Sequence, residues 1–84
     1  MDLICLIDAE PGMIGRIALM DLDSKDAALL RAMGLSPNVL VRVCRIGSPF
    51  ILEIVKCEGC GCRIGLVKEL ARNIFLKKVY INNQ

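Results

Sequence analysis

The chain has 84 residues, enough for one small domain that buries about 60–65% of its unfolded surface. Apolar residues make up 55% of it and aromatic residues only 4%, so we expect an aliphatic core. Eleven basic and nine acidic residues give a net charge of +2, too balanced to indicate nucleic-acid binding, and no apolar run approaches the about 18–20 residues of a membrane-spanning helix.

Two apolar segments open the chain. Residues 3–7 fit an edge strand or an extended lead-in, and turn residues then interrupt the run. Residues 13–22 predict a strand, with Ile17 and Leu19 on the same face. Gly15 adds no side chain to that strand, which suits a bend or a bulge.

A short helix with a defined stop is predicted next, from about residue 25 to residue 33, with the preceding Asp-Ser pair as its cap. Gly34 stands where a left-handed residue ends a helix, and in that arrangement the side chains of Leu30 and Leu35 pack together. Residues 36–39 then predict a β-turn, with proline second and an asparagine that tolerates a positive φ third.

The second half of the chain begins with a predicted β-hairpin. Residues 39–46 and 50–56 flank a Gly-Ser-Pro turn. Val41 and Val43 point to one face of the first strand and Arg42 to the other. This alternation predicts a strand with one buried side.

Three shorter elements complete the chain. Residues 63–66 predict a strand, residues 67–73 about two helical turns and residues 74–81 a last strand. We expect Lys77 and Lys78 to be a solvated pair on an edge strand, where lysines discourage pairing with another sheet.

The predicted fold is mainly β, a small and partly open barrel of about five strands with two short α-helices, in a single domain over residues 1–84. Rolling up buries both the aliphatic faces and the strand edges of such short strands. The apolar content also suggests apolar surface left for a partner, although small domains always expose some apolar atoms.

These motifs together resemble the FeoA family over residues 11–79. The resemblance is carried by Pro11-Gly12 before a strand with Gly15, by Met33-Gly34-Leu35-Ser36-Pro37 running into residues 39–43, and by Arg63-Ile64-Gly65-Leu66 with Glu69-Leu70-Ala71 and Ile74. It implies an SH3-like β-barrel and a cytoplasmic accessory protein of ferrous iron uptake. The partner it implies is the cytosolic part of the membrane Fe²⁺ transporter FeoB. Asn38 replaces the usual glycine of the family, and asparagine preserves the turn.

Cysteines in a glycine-rich turn are a feature that the family generally lacks. Cys57, Cys60 and Cys62 are spaced so that thiolates could converge on Zn²⁺ or Fe²⁺. The chain has no histidine, and about 20 Å of strand separates Cys44 from the turn, so Cys5, a carboxylate or a second protomer would complete the site.

The sequence favours a simpler interpretation of this turn, a hairpin tip with reduced and unligated thiols, and a redox pair is the third alternative. Metal binding or a redox response at this turn is the alternative function. The main expected function, docking to the transporter, requires no cofactor. The odd number of cysteines, with no basic leader segment at the N-terminus, predicts reduced thiols in the cytoplasm.

Candidate partner-binding residues lie at the helix exit and on the hairpin. Leu35 and Pro37 could form an apolar docking patch, although a helix stop also gives Leu35 a structural task. Arg42 and Arg63 could meet acidic groups of a partner, or simply keep one sheet face solvated. We expect neither nucleic-acid binding nor direct membrane insertion, and weak homo-oligomerisation is left open. Without histidine, paired carboxylates or a nucleophile beside a base, we expect no enzymatic activity.

Overall fold

The computed structural model describes residues 3–55 and 61–80 of the chain. The strands are β1 (Leu3–Cys5), β2 (Ile14–Met20), β3 (Leu40–Arg45), β4 (Phe50–Ile54), β5 (Arg63–Leu66) and β6 (Ile74–Lys78). The helices are α1 (Ser24–Ala32) and α2 (Lys68–Ala71), and a 3-10 helix spans Leu6–Asp8. Neither helix in these ranges has the length and apolar character needed to cross a membrane. The mainly β fold is confirmed, with six strands where about five were predicted.

All six strands form one antiparallel sheet in the order β1-β6-β2-β3-β4-β5. Buried residues from β2 to β6 belong to one hydrophobic cluster, which residues of the helices complete, so the sheet curls around its core. The fully buried side chains are aliphatic, as predicted; the largest are Leu6, Ile17, Leu30, Leu35, Leu52, Leu66, Ile74, Leu76, Val41 and Val43.

The stop of α1 has the predicted geometry. Gly34 adopts a φ of +102°, its N–H donates to the carbonyl of Arg31 at 3.0 Å, and the Leu35 N–H donates to the carbonyl of Leu30 at 2.9 Å. These two hydrogen bonds define a Schellman motif, and both leucines are buried. The helix therefore ends on the glycine and turns its last apolar residues into the core.

The β-turn after α1 is also confirmed. The Val39 N–H donates to the Ser36 carbonyl at 3.2 Å, and Asn38 has a φ of +77°. A positive φ at the third residue is the requirement of a type II turn. The Asn38 N–H then donates to the Ile17 carbonyl at 2.7 Å, which fixes the turn against β2.

The start of α1 provides a first testable prediction. Asp23 Oδ1 accepts a hydrogen bond from the Asp26 N–H at 2.8 Å and so satisfies a free donor of the first turn. Asp23→Ala should lower the free energy of unfolding by about 1 kcal/mol, measured by urea denaturation. Asp21→Ala, an exposed carboxylate removed just outside the helix, should change it by less than about 0.5 kcal/mol. Equal losses in both variants would contradict the cap.

The prediction that Ile17 and Leu19 share one face of β2 is wrong. Ile17 lies opposite Leu76 and Leu19 opposite Phe75, so Ala18 is an extra residue that forms a β-bulge. The bulge breaks the alternation of the strand. Ile17 is therefore buried, whereas Leu19 is 48% exposed.

The position of β6 corrects two further expectations. This strand lies between β1 and β2, so Lys77 and Lys78 are not on an edge strand. Gly15 is not the site of the bulge; a Cβ there would lie 2.8 Å from the carbonyl oxygen of Lys77. The glycine instead permits the close approach of β6 to β2.

The predicted hairpin is confirmed as β3 and β4. Val41 and Val43 are fully buried and Arg42 is exposed, as the alternation predicts. The register shifts between Val43 and Arg45, which makes Cys44 the extra residue of a second bulge. This hairpin sets the position of Arg42 on the outer face of the sheet.

The last helix is shorter than predicted, because residues 67–73 contain only the single turn of α2. The Asn73 side-chain amide donates to the carbonyl of Glu69 at 3.4 Å, and its own N–H donates to Leu70 O at 3.1 Å. These bonds close the turn just before Ile74 enters β6. The helix therefore serves as a tight connection between β5 and β6.

Candidate functional site

Leu35, one of the predicted docking residues, lies in the core. Its side chain is 0% exposed and it is held there by the hydrogen bond of its N–H to Leu30. A side chain without accessible surface offers no contact to a partner, so the structural task of Leu35 replaces the docking one. Pro37, by contrast, is exposed.

Pro37 borders a small cavity of about 80 Å³ on one flank of α1. Its lining residues are Met20, Ala27, Arg31, Leu35, Ser36 and Pro37. The volume is enough for a few waters or one small side chain, and far below that of a ligand pocket. This flank is therefore a shallow depression next to the turn.

The opposite flank of α1 carries two large exposed apolar side chains, Leu29 and Met33. They are 56% and 42% exposed, respectively. Residues four apart lie on the same side of a helix, so these two are neighbours. Residues two apart point to nearly opposite sides, which separates Leu29 from Ala27, Arg31 and the Pro37 cavity. We name Leu29 and Met33 the α1 flank; the structure does not bring Pro37 to it.

Arg42 and Arg63 occupy positions on either side of Glu53 in the sheet. Glu53 lies directly opposite Arg42 on β3 and directly opposite Arg63 on β5. The Arg42 guanidinium donates to Glu53 Oε1 at 2.8 Å, with side-chain exposures of 46% and 18%. Such an exposed pair adds about 0–1 kcal/mol to stability. Glu53 thus lies between two arginine positions and forms its ion pair with Arg42.

Two more cations continue this arrangement across the sheet. Lys77 on β6 lies directly opposite Arg16 on β2, and both are exposed. Arg16 lies opposite Leu40, which places it diagonal to Arg42. The four cations Lys77, Arg16, Arg42 and Arg63 form what we name the basic stripe, with the Glu53 carboxylate between the last two.

A larger groove of about 580 Å³ lies at the far end of β2 from the α1 stop. It is lined by Ile4, Asp8, Glu10, Pro11, Gly12, Met13, Ile14, Lys78, Val79 and Tyr80. The Lys78 Nζ lies 5.2 Å from the centre of the Tyr80 ring, a cation–π contact, so this lysine is engaged with the ring at the groove wall. The groove combines apolar side chains with both signs of charge and has no single chemical character.

Of the predicted metal ligands, Cys57 and Cys60 lie outside the described residues. Cys62 is exposed and has a free thiol. Within residues 3–55 and 61–80, no group of three or more cysteine or carboxylate side chains is placed to hold a metal ion. Cys5, a candidate further ligand, instead directs its thiol to the carbonyl of Arg72 at 3.2 Å. Metal binding at the turn stays a prediction.

The α1 flank and two of the four cations of the basic stripe, Arg16 and Lys77, were not predicted as site residues from the sequence. The sequence does contain a signal for the α1 flank. Leu29 and Leu30 are adjacent, so a helix can direct only one of them to the core. The predicted contact of Leu30 with Leu35 therefore leaves Leu29 on the outside. For Arg16 and Lys77 there was none, because the pairing of β2 with β6 joins residues far apart in sequence.

Comparison with known proteins gives a match to a family model and matches to solved structures. The family model described as the FeoA domain matches residues 4–78. A crystal structure of an iron uptake regulatory protein, FeoA, superposes with a TM-score of 0.79 at 22% sequence identity, covering 93% of this chain and 100% of that one. At this identity the structural likeness establishes the SH3-like fold. No curated protein matches the chain.

Proposed function

Because the chain belongs to the FeoA family, which is associated with ferrous iron uptake, we propose that it docks onto the cytosolic part of a FeoB-type Fe²⁺ transporter. Proteins of this family are non-enzymatic accessory proteins, so the action follows from binding rather than from chemistry. The proposal places the protein in the cytoplasm, with no cofactor required for docking.

The observation that carries this proposal is the α1 flank. The protein already has a continuous core, yet Leu29 and Met33 remain 56% and 42% exposed side by side. Burying the rest of such a side chain contributes on the order of 1 kcal/mol, since complete burial is worth about 1.5–3 kcal/mol. The methionine adapts its shape easily, which suits a surface that receives a partner.

The flank is also mechanically suited to docking. α1 is held at its start by the Asp23 cap and at its end by the Schellman stop, with Leu30 anchored in the core. A rigid surface loses little conformational entropy on association, so more of the contact energy appears as affinity.

The decisive experiment is a calorimetric titration of the purified protein into the cytosolic domain of the cognate transporter. Leu29→Ala together with Met33→Ala should raise Kd by at least about tenfold, the equivalent of 1.4 kcal/mol. Val67→Ala is the matched control, because Val67 is as exposed as Leu29, at 56%, but lies just before α2. Its Kd should stay within about twofold of the wild type.

Two results would count against the proposal. If the folded wild-type protein shows no binding heat with the folded domain, docking to the transporter is wrong. If the wild type binds and the double variant binds equally well, the interface lies elsewhere on the molecule. Unfolding curves of each variant test whether a loss of affinity comes from a loss of structure. We expect none, since truncation of an exposed side chain changes stability by less than about 0.5 kcal/mol.

A further inference from the structure

We infer that the basic stripe of Lys77, Arg16, Arg42 and Arg63 binds an extended acidic segment of a partner protein, and that the transporter's cytosolic part supplies this segment. The assignment to the transporter rests on the proposed function. Recognition of the acidic segment rests on the sheet face alone.

The first observation is the register of β2 and β6. Arg16 and Lys77 lie directly opposite each other, where side chains with the same charge destabilise a sheet. In the part of the chain that the structure describes, no carboxylate lies within ion-pair distance of either group. Arg16 donates instead to the Asn38 carbonyl at 3.1 Å. Folding thus leaves two adjacent cations that an incoming carboxylate would stabilise.

The second observation is the continuity of the charges. Lys77 and Arg16 are opposite, Arg16 and Arg42 are diagonal, and Glu53 lies between Arg42 and Arg63. Followed along the curved surface of the sheet, the line crosses β6, β2, β3, β4 and β5, which amounts to about 19 Å at about 4.8 Å per step between strands. An extended peptide of about six residues has the same length.

The surroundings of the stripe favour a protein over a nucleic acid. Apolar side chains alternate with the cations, since Leu40 lies opposite Arg16 and Ile14 opposite Arg42. Only 4% of the residues are aromatic, too few for the base stacking that strengthens single-strand binding. A peptide with carboxylates and a few apolar residues complements both components.

The test uses a fluorescein-labelled peptide of ten glutamates and measures its anisotropy on titration with the full chain at low salt. Arg16→Gln together with Lys77→Gln should raise Kd by about tenfold or more. The control, Lys25→Gln together with Lys68→Gln, makes the same change in net charge on α1 and α2, and should raise Kd by less than about threefold. The melting temperature of the stripe variant should stay close to that of the wild type, because relief of the like-charge pair offsets the loss of the Arg16 hydrogen bond to the Asn38 carbonyl.

The same two double variants are then titrated into the transporter's cytosolic domain. A loss of affinity confined to the stripe variant supports the full inference. If the domain binds the wild type and both double variants alike, the inference is wrong and the proposed function stands. If the peptide binds through the stripe and the domain does not bind at all, the proposed function fails while acidic recognition by the stripe is supported.

Three further results would overturn the inference. The first is equal weakening of peptide binding in the stripe variant and its control. The second is stripe-dependent binding of phosphatidylserine vesicles or single-stranded DNA that is tighter than binding of the peptide. The third is a dimer in analytical ultracentrifugation that the stripe variant abolishes, which would make a second copy of the chain the occupant.

Discussion

Replacing Leu35 with alanine will lower the free energy of unfolding by about 2–5 kcal/mol, the range for removing a fully buried leucine side chain. Leu35 is 0% exposed and packs with Leu30 where the chain leaves α1. The truncation removes apolar contacts and leaves a cavity that the fixed helix stop cannot close. Urea denaturation at constant temperature measures the loss, which is a large fraction of the about 5–10 kcal/mol expected for a domain of this size.

Leu29→Ala is the matched comparison, since it removes the same atoms from the same helix. Leu29 is 56% exposed, so its truncation should cost less than about 0.5 kcal/mol. The two leucines should therefore separate by function, with Leu35 required for folding and Leu29 for binding. A Leu35→Ala protein of unchanged stability would contradict its burial.

The helix stop shows what the sequence can predict. The glycine at position 34, the leucines on either side of it and the Ser-Pro-Asn turn that follows act over only a few residues. Local hydrogen bonding and the φ preference of each residue determine their conformation. The cap, the stop and the turn were therefore all predicted correctly, and so was the alternation of Arg42 with its buried neighbours in β3.

The bulge at Ala18 shows what could not be predicted. A strict alternation along β2 places Ile17 and Leu19 on one face. The register with β6 inserts one residue between them, and that register depends on a partner strand more than fifty residues later in the chain. The same non-local pairing places Lys77 inside the sheet rather than at its edge.

The candidate site also contains residues that the sequence predicts and residues that only the strand register reveals. Arg42 and Arg63 were identified as surface cations from their own strands, but Glu53 between them and Arg16 beyond them are known only from the register of four strands. Apolar docking was expected at the helix exit. The helix stop instead buries Leu35, and the exposed apolar side chains are those of Leu29 and Met33.

Gly34→Ala will lower the free energy of unfolding by about 2 kcal/mol or more. The φ of +102° is strained for any residue with a Cβ, at a cost of about 1–3 kcal/mol. An added Cβ would also lie 2.8 Å from the Cδ1 of Ile54. That methyl is the free end of the Ile54 side chain and must shift to admit the new Cβ, so the contact adds a smaller cost to the backbone strain. Thermal or urea unfolding measures the sum of both effects.

A double-mutant cycle with Ile54→Val separates the two, because this substitution deletes the Cδ1 methyl that the new Cβ would meet. Ile54→Val alone should cost about 0.5–1.5 kcal/mol. The double variant should lose less unfolding free energy than the two single variants together, since the steric contact can no longer form. Strict additivity would assign the whole cost of Gly34→Ala to backbone strain. An unchanged stability of Gly34→Ala would instead mean that α1 does not need a left-handed residue to end, and the position of Leu35 in the core would then require another cause.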